Sequence, residues 1–490
     1  MNGAAVMVDF QYILASPVIV LAAYGLLALV LAPGLRESSR FLGIVALIGF
    51  AVTGWSLWDL WRRVAVAGPL ETASGLIRIE EFGLFFSAIL LVVAALSVLV
   101  SISFLEREEA DRAEFYPLML LCLAGMFLML QTSNLIMVLV GLEVFSLALY
   151  VVCGITRDRL RSIEAALKYF LLGAFSSGFL VYGMALLYGA AGSLDMLRIG
   201  AIAANEATPL LWIGMGLVLV GLAFKIAIVP FHHWVPDVYQ GAPTNVTGFM
   251  AAATKTAAFA VLLRFLLVAF GDKADVWGPL IAVLAVLTMT VANLVALAQT
   301  DLKRLLAFSS IAHAGYLLVA VVSQPDDAVT AVLFYLTSYA FMTVGAFAVL
   351  AAVGRGDAEG ERGYSLAEWS GLGWRRPVLG AAMTLFLLSL AGIPPTGGFL
   401  GKYMIFMAAV NGGQQTLAII MAVNAAIAAY YYLRIIVHMY MREADLGEDV
   451  LPVSPAMAAV MITAVAATLY LGLAPGMILA TLSGLAGSLI

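Results

Sequence analysis

Apolar positions in this chain come in long unbroken runs, not in the alternation of a strand or the one-sided stripe of a surface helix, and short polar clusters punctuate them. Runs of about 17 to 28 residues are long enough to cross roughly 30 Å of hydrocarbon as helix. They predict spans near 16–33, 41–60, 82–103, 116–131, 133–153, 162–189, 209–229, 244–270, 277–299, 303–323, 327–353, 378–411, 415–441 and 453–474. The expected fold class is an all-α polytopic membrane protein with about fourteen transmembrane helices, and no strand is required anywhere. The tail over 475–490 reads as an extension of the last helix or as an interfacial segment. The first ten residues carry one charge, Asp9, and lack a basic start, so the first apolar run reads as a retained span instead of a cleavable signal.

Composition agrees: 63% of the 490 residues are hydrophobic and 11% are charged, against about 25% charged in soluble domains. A net charge of -5 with no basic face argues against a nucleic-acid partner. Cys122 and Cys153 sit inside apolar runs without metal-ligand spacing and read as small buried residues. The longest polar loop, about 354–377, is shorter than the roughly 30 residues of a dinucleotide-binding βαβ unit, so redox or ATP chemistry is expected on other chains. His232-His233 has only Asp237 near ligand spacing and reads as structural, with no metal expected.

Basic residues distribute unevenly between the two sides. Arg107, Arg157, Arg159, Lys303, Arg304 and Arg375 are among those crowding one side, against Arg62, Arg63, Arg78, Arg198 and Lys273 on the other. Because cytoplasmic loops are enriched in Lys and Arg, both termini are expected on the periplasmic side of a bacterial plasma membrane.

The ionisable residues inside apolar runs are the most informative. Each Lys or Asp at a bilayer centre opposes insertion by about 2.5–3.5 kcal/mol, so Glu143, Lys225, Lys255, Lys402 and Lys168 require either a partner or a function. Lys168 has Glu164 four residues before it, a helical pairing spacing. Two apolar segments are also interrupted by proline, at Pro230 and at Pro394-Pro395. Broken helices free backbone polar groups at depth, which is tolerable where they line a hydrated cavity. The flanking spans repeat at similar offset, which suggests two inverted five-helix units, 116–270 (helices 4–8) and 277–441 (helices 9–13). A three-helix segment, 1–115, precedes them, and a final helix and tail, 442–490, follow. By the offset between matching spans, Glu143 falls opposite His313, a group able to switch charge near neutral pH.

The run Phe224-Lys225-Ile226-Ala227-Ile228-Val229-Pro230-Phe231-His232-His233-Trp234-Val235-Pro236-Asp237-Val238-Tyr239-Gln240-Gly241-Ala242-Pro243-Thr244, together with Lys303 to Tyr316, closely resembles the antiporter-like membrane subunits of proton-pumping NADH:quinone oxidoreductase, respiratory complex I. Its Pro-Asp-Val-Tyr-Gln-Gly-Ala-Pro form looks like the N type more than the paralogous L and M types. The resemblance implies that Glu143 on the fifth helix faces Lys225 on the broken seventh, that Lys255 lies on a central hydrated axis, and that Lys402 on the broken twelfth leads to an exit. It also implies a lysine of the N type at Lys168. NADH, FMN, iron–sulfur clusters and quinone are then expected on partner subunits, with none on this chain. The implied partners are the L and M paralogues, small membrane subunits and lipids.

Lysine suits such a path because its proton affinity shifts readily with burial and neighbouring charge, whereas arginine stays charged. The reading is proton translocation through buried Glu, Lys and His residues and water. Its competitors are a subunit of a multisubunit Na⁺/H⁺ antiporter and a structural spacer whose buried charges only join helices.

Overall fold

The computed structural model describes residues 12–489 apart from short segments at 35–38, 73, 109–111, 207, 324–325, 358–359 and 444–451. The amino-terminal stretch read as lacking a signal, with Asp9, lies outside the described residues.

The chain runs α1 (Ser16–Leu31), α2 (Ser39–Ala67), α3 (Glu81–Arg107), α4 (Phe115–Leu130), α5 (Leu135–Cys153) and α6 (Leu160–Ala191). A short α7 (Met196–Asn205) precedes α8 (Pro209–Ile226) and α9 (Trp234–Gly241), which are two parts of one interrupted helix. Then come α10 (Thr244–Ala269), α11 (Ala274–Leu297), α12 (Leu302–Ser323) and α13 (Asp326–Val353). A second interrupted helix consists of α14 (Pro377–Ala391) and α15 (Gly397–Asn411), followed by α16 (Gln415–Met441), α17 (Pro455–Leu473) and α18 (Gly476–Leu489).

Thirteen of the fourteen runs expected to span each fall on one of these helices, and the run 378–411 covers two, α14 and α15, on either side of Pro394-Pro395. Among the described residues, twelve helices or composite helices are long and apolar enough to cross a membrane, while α4, α14 and Gly476–Gly487 are apolar but shorter. The tail is a separate helix, α18, packed against α13 and α3. The expectation that strands would be absent needs correction. Leu70–Glu71 pairs antiparallel with Arg78–Ile79, and Arg355–Asp357 with Gly360–Arg362. Both ribbons lie between spans and are only two or three residues per strand, so no apolar run signals them.

The helix boundaries follow from local chemistry. Thr208 and Ser454 accept hydrogen bonds from the amides of Leu211 and Met457, and each is followed by proline at the first helical position. At other ends arginines serve. Arg107 donates to the carbonyls of Ala351, Ala352 and Gly354 where α13 finishes, and Arg434 to those of Leu297 and Gln299 where α11 finishes.

Packing sorts the helices into an inner and an outer set. In α12 every residue except Arg304 is buried, and α10 and α13 are nearly as enclosed. Helices α1, α2, α6, α11, α16 and α17 surround them with apolar faces left open, as expected where the outer solvent is lipid or a neighbouring subunit. Small residues set the close approaches. A Cβ at Gly125 would sit 2.6 Å from the Gly141 carbonyl oxygen, so α4 and α5 meet backbone to backbone there.

Candidate functional site

The two interrupted helices end their first halves in the same way. Ala227 (φ 68°) and Gly392 (φ 88°), 165 residues apart, adopt the left-handed conformation. The amide of Ile228 reaches back to the Ala223 carbonyl and that of Ile393 to the Leu388 carbonyl, both at 2.9 Å, which is the hydrogen-bond pattern of a Schellman stop. This offset carries Lys225 to Leu390, and it carries Glu143 to Phe308 instead of His313.

Lys225 sits in the last turn of α8 and is 3% exposed. Its ammonium donates to Ser146 Oγ at 2.7 Å and lies 3.5 Å from the Tyr150 hydroxyl. The rings of Phe145, Tyr150, Tyr169 and Phe224 surround it at 5.3 to 5.6 Å. Such faces stabilise a desolvated cation by about 0.5–2 kcal/mol apiece. Trp234 stacks on Tyr169 and donates from Nε1 to the Phe224 carbonyl at 2.9 Å, occupying one of the helix-end acceptors beside the lysine.

Glu143 does not form the expected direct pair with Lys225. It is only partly buried, and its carboxylate accepts from Ser177 on α6. The reason is helical geometry. Ser146, three residues on from Glu143, takes the inward position and meets the lysine, while the glutamate turns toward α6. Lys168 makes the helical pair that its spacing predicts. Its side chain is 41% exposed and pairs with Glu164 at 2.7 Å and Asp237 at 2.9 Å. Asp237 in turn accepts from Arg304 on α12 at 2.7 Å. Lys168 is therefore a surface-facing group, because it lies only two turns inside a 32-residue helix.

Lys255 follows a π-helical segment, Met250–Thr254, within α10. A π segment shifts the side chains after it around the helix axis and often marks functional positions. Its ammonium, 3% exposed, donates to the carbonyl and hydroxyl of Ser310, the hydroxyl at 2.7 Å, and faces the Tyr339 ring. One turn along α12, His313 lies between two tyrosines, with Nδ1 bonded to the Tyr335 hydroxyl and Nε2 3.0 Å from that of Tyr432. Ser309 also bonds the Tyr432 hydroxyl.

The Tyr316 ring packs edge-on to His313 on one side and carries the Lys402 ammonium, at 5.0 Å, on the other. Lys402 donates to the carbonyls of Leu390 at 2.7 Å and Ala391 at 3.0 Å, the free acceptors ending α14. The structure thus brings Lys255, His313 and Lys402 together around one cluster of hydroxyls and rings, and holds Lys225 in a second cluster. Among the described residues, no side-chain hydrogen bond links the two clusters.

Among the described residues, no carboxylate lies within 4.0 Å of Lys225, Lys255 or Lys402. Elsewhere the same protein does build a buried ion pair: Arg264 joins Glu80 and the carbonyls of Leu130 and Thr132, while the partly buried Arg159 joins Glu108.

Sequence reasoning missed Ser146, Ser310, Tyr335, Tyr339 and Tyr432. Serine, threonine and tyrosine are common in membrane helices, and only the fold shows which of them face a buried charge.

The family model described as NADH:quinone oxidoreductase/Mrp antiporter, TM, matches residues 132–428. NADH-quinone oxidoreductase subunit N of Trichlorobacter lovleyi is 44% identical over 446 residues, covering 90% of each chain. Subunit N 1 of Sorangium cellulosum is 48% identical over 407 residues, 79% of each. Among solved structures, a chain of respiratory complex I from Thermus thermophilus with bound aureothin is 37% identical, with a TM-score of 0.80 over 95% of this chain and 98% of that one. A chain of the Mrp complex from Dietzia sp. superposes with a TM-score of 0.85 over 97% of each, at 23% identity, and shares the fold. The chain belongs to the NADH:quinone oxidoreductase/Mrp antiporter membrane family and, within it, to the subunit N branch of the NADH-quinone oxidoreductases.

Proposed function

We propose that this antiporter-like subunit of complex I moves protons through Lys225, Lys255, His313 and Lys402, with Glu143 acting on Lys225 as an electrostatic control. The observation that carries this reading is that three buried lysines have no carboxylate partner among the described residues, beside a buried Arg264–Glu80 pair in the same protein. A structural spacer has no use for such groups, since a buried charge is costly unless paired. A lysine that binds and releases a proton does, because it can pass through the neutral state.

Charge changes at a neighbouring membrane subunit bias Glu143, which stands on the partly exposed face of α5. The bias alters how firmly Lys225 holds its proton. Ser146 and Tyr150 offer the first hydroxyls, and water carries the proton on toward Lys255. From there Ser310, His313, Tyr335, Tyr432 and Lys402 supply donors and acceptors in sequence. Lys168, Asp237 and Arg304 form a charged cluster at the surface, where counter-charge gathers. NADH, FMN, the iron–sulfur clusters and quinone belong to partner subunits, with the L and M paralogues and small membrane subunits as neighbours. The termini face the periplasm of a bacterial plasma membrane.

The test uses closed vesicles carrying the complex with Lys225→Ala, assayed for NADH-driven quinone reduction and acidification, with assembly checked by native gel. Loss of acidification in an intact complex is expected; unchanged rates of both would remove Lys225 from the path and favour the spacer reading.

A further inference from the structure

Helices α11 and α16 meet at two asparagines set in apolar sequence, Asn293 and Asn424, both buried. Their bonding leaves one orientation for each amide. Asn424 donates from Nδ2 to the Ile420 carbonyl at 3.0 Å and to Thr290 Oγ1 at 3.2 Å, so its Oδ1 and its backbone carbonyl are left as acceptors. Both lie 3.1 Å from Asn293 Nδ2, and only a nitrogen can face two acceptors. Asn293 Oδ1 then points to the Tyr431 hydroxyl, which donates to it at 3.0 Å.

The remaining bond leads to the buried cluster around Lys402. Asn293 Nδ2 also donates to the Tyr316 hydroxyl, at 2.9 Å, and Tyr316 is the ring that stands edge-on to His313 and carries the Lys402 ammonium. A tyrosine ring turns about two side-chain torsions, so anchoring its hydroxyl as well as its backbone holds it in one rotamer. Tyr431 gives a second, indirect brace, since its ring lies 4.5 Å from that of Tyr432, whose hydroxyl meets His313 Nε2 at 3.0 Å. A joint between α11 and α16 would be complete with Asn424 and Tyr431. The bond to Tyr316, on α12, adds nothing to that joint and is spent on the ring beneath Lys402.

We propose that Asn293 is a positioning residue for proton transfer at Lys402, its amide fixing the Tyr316 ring between His313 and the ammonium. The inference rests on the reading that Lys402 carries protons. Asn293 bears no proton on the route and acts through Tyr316. A ring face attracts a cation within about 6 Å of its centroid, and the ammonium lies 5.0 Å away. A ring released at its hydroxyl changes rotamer and leaves that range, and Lys402 then loses its place beside His313.

The test measures NADH-driven acidification in closed vesicles, per complex assembled on a native gel, with heat inactivation followed alongside. Asn293→Leu and Tyr316→Phe should each lower acidification by roughly three- to tenfold, the worth of one net hydrogen bond. The double variant should be no worse than the worse single one, because both break the same bond. Asn293→Gln, which keeps both amide atoms, should restore much of the rate. Asn424→Leu opens the same joint between α11 and α16 and leaves both phenol bonds, so at equal loss of heat stability it should cost less acidification. Additive losses, or acidification falling in step with heat stability across all the variants, would make Asn293 a helix joint alone and overturn the proposal. Tyr316→Phe removes a single oxygen and decides the matter where Asn293→Leu fails to assemble: an unchanged rate there overturns it as well. Lys402→Ala separates the two levels of the argument. If it leaves acidification intact, the proton path through Lys402 fails and the positioning role with it; if it abolishes acidification while Tyr316→Phe does not alter it, only the role of Asn293 fails.

Discussion

Lys402 donates a hydrogen bond to the carbonyl of Leu390, twelve residues earlier and across the helix break, and Leu390 is the position that the 165-residue offset matches to Lys225. The second interrupted helix therefore brings an ammonium to the end of its first half, as the first carries one in its last turn, though the lysine comes from the other side of its break. Gly392 permits this. A Cβ there would stand 2.8 Å from Lys402 Cδ, and its φ of 88° already disfavours any side chain.

Gly392→Ala is therefore expected to displace Lys402 and to strain the turn by about 1–2 kcal/mol. Ala227→Gly at the matching position should do the reverse, relieving a similar strain and raising thermal stability. Heat-inactivation midpoints of the two complexes should move in opposite directions, and acidification should fall only for Gly392→Ala.

Removing the first hydroxyl beside Lys225 tests its role as proton acceptor. Ser146→Ala deletes the 2.7 Å hydrogen bond, and a hydrogen bond to a charged group is worth about 1.5–3 kcal/mol. Proton transfer should slow by roughly tenfold or more with the complex assembled. Acidification per quinone reduced, compared with the unaltered complex, gives the result, and an unchanged ratio and rate would count against Ser146.

His313→Leu and Tyr432→Phe cut the hydroxyl cluster between Lys255 and Lys402 at neighbouring atoms. Each should lower acidification strongly, and the double variant should be little worse than the worse single one, because both interrupt one route. Additive losses in vesicle assays would mean separate routes.

Arg264→Ala should destabilise the protein by about 1–3 kcal/mol, since it leaves Glu80 with the partly exposed Arg78 at 3.2 Å and the carbonyls of Leu130 and Thr132 without their donor. Arg264→Met combined with Glu80→Leu should recover most of that loss, and the recovered complex should pump normally. Thermal inactivation and acidification together separate this structural pair from the unpaired lysines.

Lys168→Met should change turnover by less than about twofold, because its partly exposed pairs with Glu164 and Asp237 are weak by the usual measure of such bridges. A large loss of acidification would move Lys168 onto the proton path.

Much of this architecture is legible in the residues themselves. Apolar runs mark the helices, Pro230 and Pro394 mark the breaks, and Lys225, Lys255 and Lys402 stand out because lipid-facing sequence rarely tolerates them. What the residues could not reveal is orientation around each helix. Glu143 and Ser146 lie less than one turn apart, and only packing against α6 and α8 decides which of them meets the lysine. The partners of His313 come from α13 and α16, the latter 119 positions away, and Arg264 finds Glu80 at a separation of 184. The π segment before Lys255 has no compositional mark, since Met250-Ala251-Ala252-Ala253-Thr254 would sit equally well in an ordinary helix.

Helix α12, enclosed almost completely by its neighbours, faces two solvents in its lifetime. While the chain is being made it must enter the bilayer as an apolar segment with only Lys303, Arg304 and His313 to oppose entry. Once its neighbours have closed around it, hydrocarbon no longer touches it, and Ser309, Ser310 and His313 find their partners. Its composition is thus a compromise between insertion and assembly, and its polar groups have to wait for the last surrounding helix before they are satisfied.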